Sequence, residues 1–557
     1  MAMRLLILPA ALPAALIAAL VLGTTPCAGQ ATRPLYGPVD DQGGQNEDQD
    51  DDQPPALRAR QAVALPPETP AAVRQAATAD APVGDWTMVL ALAYWTSPAI
   101  LAQRALVKSY DYRIPEARAA YGLQLDYQLT QGWQRDLDNP NALQVQLGQT
   151  TPSTGRGWSN SAMAVLTMPL FTFGRSFAAE RSAAAQRTYQ HQVLRSTEQQ
   201  ALFDAISAYA GLIRDRTGVT IATDNVRALD QELQANRTRL AAHEITATDL
   251  ELIRSRDEEA HAQLYAATAT AASSEATWVQ KIGARADLTL APPPPMPLPV
   301  RTLEDAYAYA ESHSPIILAA HERERVSRAG IASARANLLP RVDLHAQALY
   351  ASQSPYDASP RYNEEIVSVV VSGPIFESGL RRTQIADAAA ANDSDWRLID
   401  GATRDTRAAI AAAWNDWLAQ QASAVRYDNA ANAAQRAYDG ALIQERAGQI
   451  TTFDVLQLAL EVLTVRSNAN LAKATATIDL ARILGLIGAL EPGAMLPGEN
   501  LYDDARHLGK VRHQDDLPLI TPLLRALDGV SAPHNRPRDT RDPAEAVVTP
   551  AAVLSDR

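Results

Sequence analysis

Residues 168–174 read MPLFTFG, and residues 373–379 read GPIFESG. Pro374 follows Pro169, and Gly379 follows Gly174, at one spacing of 205 residues. The same spacing joins HEITATDL, ending at Leu250, to GQITTFDV, ending at Val455. Upstream, SPAILAQ from Ser97 matches SPIILAA from Ser314, and EARAAYGLQLD, ending at Asp126, matches SARANLLPRVD, ending at Asp343; both pairs are 217 residues apart. Four ordered matches at two constant offsets mark an internal duplication, with one short deletion between the strands.

Each copy reads the same way. A helix comes first, over Trp86 to about Tyr121 and over Leu303 to about Leu339, the second closed by Pro340. The hydrophobic period then changes to two. Leu123, Leu125, Tyr127, Leu129, Gln131 and Trp133 alternate with Gln124, Asp126, Gln128, Thr130 and Gly132; Val342, Leu344, Ala346, Ala348 and Tyr350 alternate with Asp343, His345, Gln347 and Leu349. These are strands with one apolar face. Return strands are predicted within Leu143–Met168 and Glu365–Ser372, with turn chemistry at Asn139-Pro140, Thr154-Gly155 and Pro355 to Pro360. Pro169 and Pro374 are expected to end the strands, and Gly174 and Gly379 to permit the turn into helix.

No proline lies between Pro169 and Pro292 or between Pro374 and Pro492. The segment from Gly379 to Gly448 alone makes about 100 Å of helix at 1.5 Å per residue. Leu456, Leu460 and Leu463, then Leu471, Ala474, Ile478 and Ala481, keep a coiled-coil rhythm on the return. The expected organisation is a first repeat at 86–290, a Pro-rich linker at 291–302 (APPPPMPLPV over 291–300) and a second repeat at 303–490.

The ends read differently. Residues 1–29 have the charged start, apolar middle and small-residue end of a secretory signal peptide. Cys27 is a candidate for lipid attachment, although Thr24-Thr25-Pro26 before it match a lipoprotein box poorly. Residues 30–84, acidic and Pro-rich, and the tail at 497–557 are expected to be disordered.

Composition excludes several classes. A net charge of −13 disfavours sequence-independent nucleic-acid binding. One cysteine rules out a disulfide framework and a cysteine-based metal site. The nine histidines show no metal-ligand spacing. His321-Glu322 opens a zinc-protease pattern, but Arg325 stands where the second histidine belongs. No nucleophile elbow or phosphate-cradling glycine loop occurs, so no enzyme activity and no cofactor are expected. Four strands cannot close a barrel, and open edges are unacceptable in lipid, so the strands call for an oligomer. Tyr127, Trp133, Trp158, Phe171, Tyr350, Tyr362 and Phe376 near the strand ends are candidates for interfacial belts.

The chain resembles the TolC family of outer-membrane efflux and secretion ducts over about residues 86–490. SPAIL and SPIIL, PLFTFG and PIFESG, the entry to the strand at Ala334 to Pro340, and AGQITTFDVLQ at Ala447 to Gln457 carry the resemblance. It implies a mainly α fold with membrane β: a duplicated helix–strand–strand–long helical hairpin unit. It further implies a homotrimer whose twelve-stranded outer-membrane barrel continues as a periplasmic α-helical tunnel. Such a duct docks on a periplasmic adaptor (membrane fusion) protein and an inner-membrane pump, and conducts passively, in drug efflux or type I secretion. The rival reading is a periplasmic coiled-coil adaptor or scaffold; duplicated strand pairs between duplicated hairpins speak against it.

In the family the helix-to-helix turns are the periplasmic tips, with the docking surface and the constriction. Here they fall at His243 to Asp249 and at Gly448 to Asp454. Gly448 matches the tip glycine, and His243 replaces it in the first copy. Thr248 or Thr451 is expected to cap the returning helix, with Asp249 or Asp454 in its first turn. Asp454 also matches a position contributing to a ring of carboxylates at the tunnel entrance; the second ring position is Gln457. Asp249 matches an aspartate of the closing network, whose arginine and tyrosine partners fall on Ile450 and Glu445. The family's latch is therefore not preserved in the same form.

Overall fold

The computed structural model describes residues 65–78, 82–138, 153–354, 357–498, 501–514, 516–518 and 520–533. The signal segment, Cys27, the acidic run, Asn139-Pro140 and the chain beyond residue 533 lie outside the described residues.

A short helix α1 (Ala71–Thr78) precedes α2 (Trp86–Thr96) and α3 (Pro98–Ala119); then come strands β1 (Gln124–Asp138) and β2 (Ser153–Phe171) and the hairpin of α4 (Arg175–Ala241) and α5 (Ala247–Ile282). The second copy repeats this as α6 (Leu303–His313), α7 (Pro315–Ala336), β3 (Arg341–Ser354), β4 (Asp357–Ser372), α8 (Leu380–Arg446) and α9 (Thr452–Ile487). Three shorter helices follow: α10 (Pro492–Met495), α11 (Asp504–Val511) and α12 (Ile520–Ser531). Both outgoing helices have 67 residues and both return helices 36, so the duplication extends to element length.

Each entry helix expected to be continuous is two. Proline at Pro98 and Pro315 disfavours helical backbone in the residue before it. Ser97 (ψ 121) and Ser314 (ψ 119) are accordingly extended, and each proline opens the next helix at a position that needs no N–H. The SP motif that marks the duplication is thus also a helix break.

The strands form one antiparallel sheet in the order β1-β2-β3-β4. Its register puts Leu125, Leu166, Ala346 and Val367 in one row across all four strands, and Leu129, Ala162 and Tyr350 in another. The alternate rows carry Gln124, Thr167, His345 and Ser368, then Asp126, Val165, Gln347 and Ile366. One face is therefore mostly apolar and the other mostly polar, as alternation requires. Trp133 sits directly opposite Trp158. Leu125, Tyr127, Leu129, Val367, Val369 and Val371 are all exposed, so the apolar face has no partner among the described residues. Among the described residues, β1 and β4 each have one unpaired edge. Thr154-Gly155, expected to be a turn, lies inside β2, and β2 is longer than alternation suggested because its pairing with β1 extends to Ser153.

The main core lies where the entry helices meet the hairpin bases. α2 (WTMVLALAYWT) is apolar on every side and buries Val89 through Trp95. Leu202, Ile206, Tyr209, Trp278, Ile282, Ile483 and Ile487 from both hairpins close around it. Buried Arg104 pairs with Glu198 at 3.1 Å and stacks over Tyr94, Trp95 and Tyr502. The 291–302 segment is more than a spacer: Met296 and Val300 are buried in this core, and Tyr209 Oη donates to the Ala291 carbonyl at 2.8 Å.

Two segments expected to be disordered contain ordered structure. Val73 of α1 inserts into the core, and Val83 bridges to Ala286. Residues 501–533 lie along the first repeat as a strap. Arg187 of α4 pairs with both Asp111 and Asp504, and His507 lies 2.8 Å from Asp111. Arg118 pairs with Asp516 at 2.7 Å, and Arg525 with Glu180 at 2.6 Å. The charges that made this tail look solvated are the ones that tether it.

Candidate functional site at the helical tips and the strand-to-helix passage

The two tips have one construction. α4 ends at Ala241 and α8 at Arg446; each chain reverses over five residues and re-enters helix after a threonine. Gly448 takes the left-handed backbone (φ 72), and His243 takes it too (φ 60). The missing glycine therefore leaves the turn geometry intact but places a side chain in a region that disfavours it.

Thr246, not Thr248, caps α5; Thr248 lies in its first turn. The Asp249 amide donates to Thr246 Oγ1 at 3.2 Å, and the Thr246 amide to Asp249 Oδ2 at 3.1 Å. In the second tip the Asp454 amide donates to Thr451 Oγ1 at 3.3 Å and the Thr451 amide to Asp454 Oδ2 at 3.0 Å. Both aspartates thus complete reciprocal capping boxes. Thr451 hydroxyl and amide bonds hold the exposed Asp454 carboxyl below the usual carboxylate range.

A polar chain behind the turns ties the two hairpins together. The Arg239 guanidinium of α4 donates to Glu445 of α8, and also pairs with Glu244 at 3.5 Å. Glu445 is 3% exposed and accepts a second bond, at 3.2 Å, from Thr452 Oγ1. Asn236 Oδ1 accepts from Arg239 at 3.1 Å, while its amide donates to buried Glu232. Burial pushes the Glu232 carboxyl above its ordinary range, against the pull of Asn236. Sequence reasoning found Glu445 only as a missing tyrosine and did not find Arg239. Arg239 precedes the turn and its partner lies 206 residues away, so no local spacing announces the pair.

The passage from sheet to long helix differs between the two repeats. Gly174 and Gly379 both stand before their helices at φ 85, a backbone that suits glycine. Pro169 does not end β2: it pairs with Asp343 at a bulge, and the strand runs to Phe171. Pro374 lies beyond the end of β4. The first passage is covered by the strap. Asp528 of α12, 1% exposed, accepts from the Thr172 amide (2.9 Å), Thr172 Oγ1 (2.7 Å) and the Gly174 amide (2.9 Å). A Cβ on Gly174 would lie 2.3 Å from Ala532 Cα. In the second passage Gly379 faces open space and Ile375 and Phe376 are exposed.

The zinc-protease-like start is structural: Arg325 donates to Glu322 at 2.6 Å in place of any second histidine ligand.

A duplicated strand pair feeding paired helical hairpins about 100 Å long, with an apolar sheet face that no described residue covers, fits a component of an export channel. The chain belongs to the outer membrane efflux protein family, which matches residues 89–284 and 306–489. It is an outer-membrane efflux channel component. The outer membrane efflux protein BepC of Brucella suis biovar 1 (strain 1330) is 27% identical over 385 residues, covering 68% of this chain and 80% of BepC. The Vibrio cholerae outer membrane protein VceC is similar in fold, with a TM-score of 0.61 at 16% identity, over 73% of this chain and 99% of VceC. The CmeC outer membrane channel of Campylobacter jejuni gives 0.63 at 12% identity, over 77% of this chain and 89% of CmeC. No described helix is long and apolar enough to cross a membrane.

Proposed function

We propose that three copies of this chain close a twelve-stranded barrel in the outer membrane and continue it as one α-helical tunnel across the periplasm. The observation that carries this reading is the sheet: one apolar exposed face and two open edges in a four-stranded unit. In lipid such edges must be paired, and joining β4 of one copy to β1 of the next pairs all of them. The apolar rows then face lipid and the rows of Gln124, Thr167 and His345 face water. The name of BepC favours efflux over protein secretion.

In this reading the channel works passively. The tips dock on a periplasmic adaptor, and an inner-membrane pump supplies energy and selects the cargo. Asp454, repeated around the threefold axis, forms a single carboxylate ring that attracts cations and repels anions. Arg239 and Glu445 hold the two hairpins of each copy together behind that ring, where Ile450 leaves no arginine for Asp249.

Single-particle imaging of the protein extracted from outer membranes in mild detergent tests this. A threefold particle with a tunnel about 100 Å long is expected. A monomer found only in the soluble periplasmic fraction would remove the barrel and favour an adaptor or scaffold.

A further inference from the structure

The first hairpin contains a polar cluster that the channel reading does not use. Asp230 lies on α4, and Asp257 and His261 lie one turn apart on α5. One carboxylate oxygen from each aspartate and a ring nitrogen of His261 lie within 4.8 Å of one another. Asp257 is 6% exposed, and its Oδ1 has no hydrogen-bond partner. It occupies the helix stripe between Ile253 and Ala260, which belong to the apolar cluster joining the two hairpins. A buried, unpartnered carboxylate beside a second carboxylate is costly unless a cation compensates it. Arg237 acts on Asp257 only through space and forms no ion pair with it.

The second repeat shows the alternative solution. At the spacing of 205 residues, Asp230, Asp257 and His261 correspond to Gln435, Val462 and Arg466. Val462 is buried among apolar side chains, and Arg466 donates to Gln435 at 2.9 Å. There a guanidinium on the return helix ties it to the outgoing helix. In the first repeat the same positions offer two anions and an imidazole, with no protein cation between them.

We propose that Asp230, Asp257 and His261 form a binding site for a first-row divalent transition metal of the zinc class, which staples α4 to α5. One imidazole and two carboxylates are a recognised donor set for such ions, with water completing the shell. Asp230 is exposed on its helix, so rotation of its side chain can bring its carboxylate to the ion. Asp257 and His261 have i, i+4 spacing, and the third ligand comes from another helix, where spacing along one segment does not reveal it.

The test is titration of the full-length protein in detergent with Co(II), followed by its visible absorption bands, with Zn(II) as competitor. One Co(II) per chain, displaced by Zn(II), is expected. Asp257→Asn, His261→Gln and Asp230→Asn should each weaken binding at least tenfold. A triple variant carrying the second repeat's residues, Asp230→Gln, Asp257→Val and His261→Arg, should fold, bind no Co(II), and lose the rise in melting temperature that Zn(II) gives the parent. The proposal is overturned if no Co(II) binds up to about 100 µM. It is equally overturned if binding persists unchanged in the triple variant, because the metal then sits elsewhere.

Discussion

Arg239 and Glu445 join the two hairpins of the chain just behind their tips. Glu445 is buried and Arg239 partly open to water. Breaking a fully buried pair costs about 3–5 kcal/mol. Solvent screening at Arg239 reduces this, and Arg239→Ala is expected to destabilise the tip by about 2 kcal/mol. The readout is conductance in a planar bilayer: Arg239→Ala should open more readily than the parent, and an unchanged open probability would remove the pair from gating. Asp454 behaves differently because it is exposed and held by its own cap. A carboxyl with a lowered pKa stabilises the fold above its unfolded value and loses that contribution only as pH falls through the folded value. The ordinary value is 3.8 and the folded one lies below it, so the Asp454 charge persists through mildly acidic conditions. Cation selectivity measured by reversal potential should therefore be the same at pH 7 and at about pH 5, and Asp454→Asn should reduce it at both.

At the scale of elements, the two tips are a built-in comparison. His243 and Gly448 share a left-handed backbone, which costs an ordinary residue roughly 1 kcal/mol or more and glycine little. His243→Gly is expected to stabilise the first tip by up to about 1 kcal/mol, and Gly448→Ala to destabilise the second by a similar amount. Amide hydrogen exchange at residues 243–250 and 448–455 measures both. Slower exchange after Gly448→Ala would contradict the argument. The capping boxes were legible in part: threonine before an acidic residue marks a helix start. Thr248 was the wrong expectation: Thr246 stands three residues before Asp249, the spacing by which Thr451 caps with Asp454, whereas Thr248 is already inside the first turn. The break at Ser97-Pro98 was likewise written in the sequence, but the apolar residues on both sides made the helix read through it.

At the scale of the molecule, two repeats with the same element order and equal hairpin helices are treated unequally. The strap of residues 501–533 covers the first strand-to-helix passage and leaves the second bare. Asp528→Ala would leave the Thr172 and Gly174 donors without their charged acceptor, at a cost of about 3 kcal/mol. Limited proteolysis should then cut within 501–533 while the hairpins stay intact; simultaneous loss of the hairpins would mean that the strap is part of the main core. The strap also has an acid limit. Burial opposes ionisation of Asp504, but the His191 hydrogen bond and the charges of His191 and Arg187 prevail and hold its pKa below 3.8. Its contribution is complete above that value and is lost as pH falls through the lower folded one.

By itself the sequence determined the duplication, the helical and strand periods and the length of the hairpins. These are local or repetitive properties, set by the spacing of apolar side chains and by where proline and glycine stand. The tertiary structure alone decided that Arg239 meets Glu445, that Asp230 joins Asp257 and His261, and that a charged tail clamps Thr172 and Gly174. Each of these brings together residues from separate segments of the chain, 27 to more than 350 positions apart. Charge and hydropathy in one segment do not record which distant partner will desolvate it; only the packed helices do.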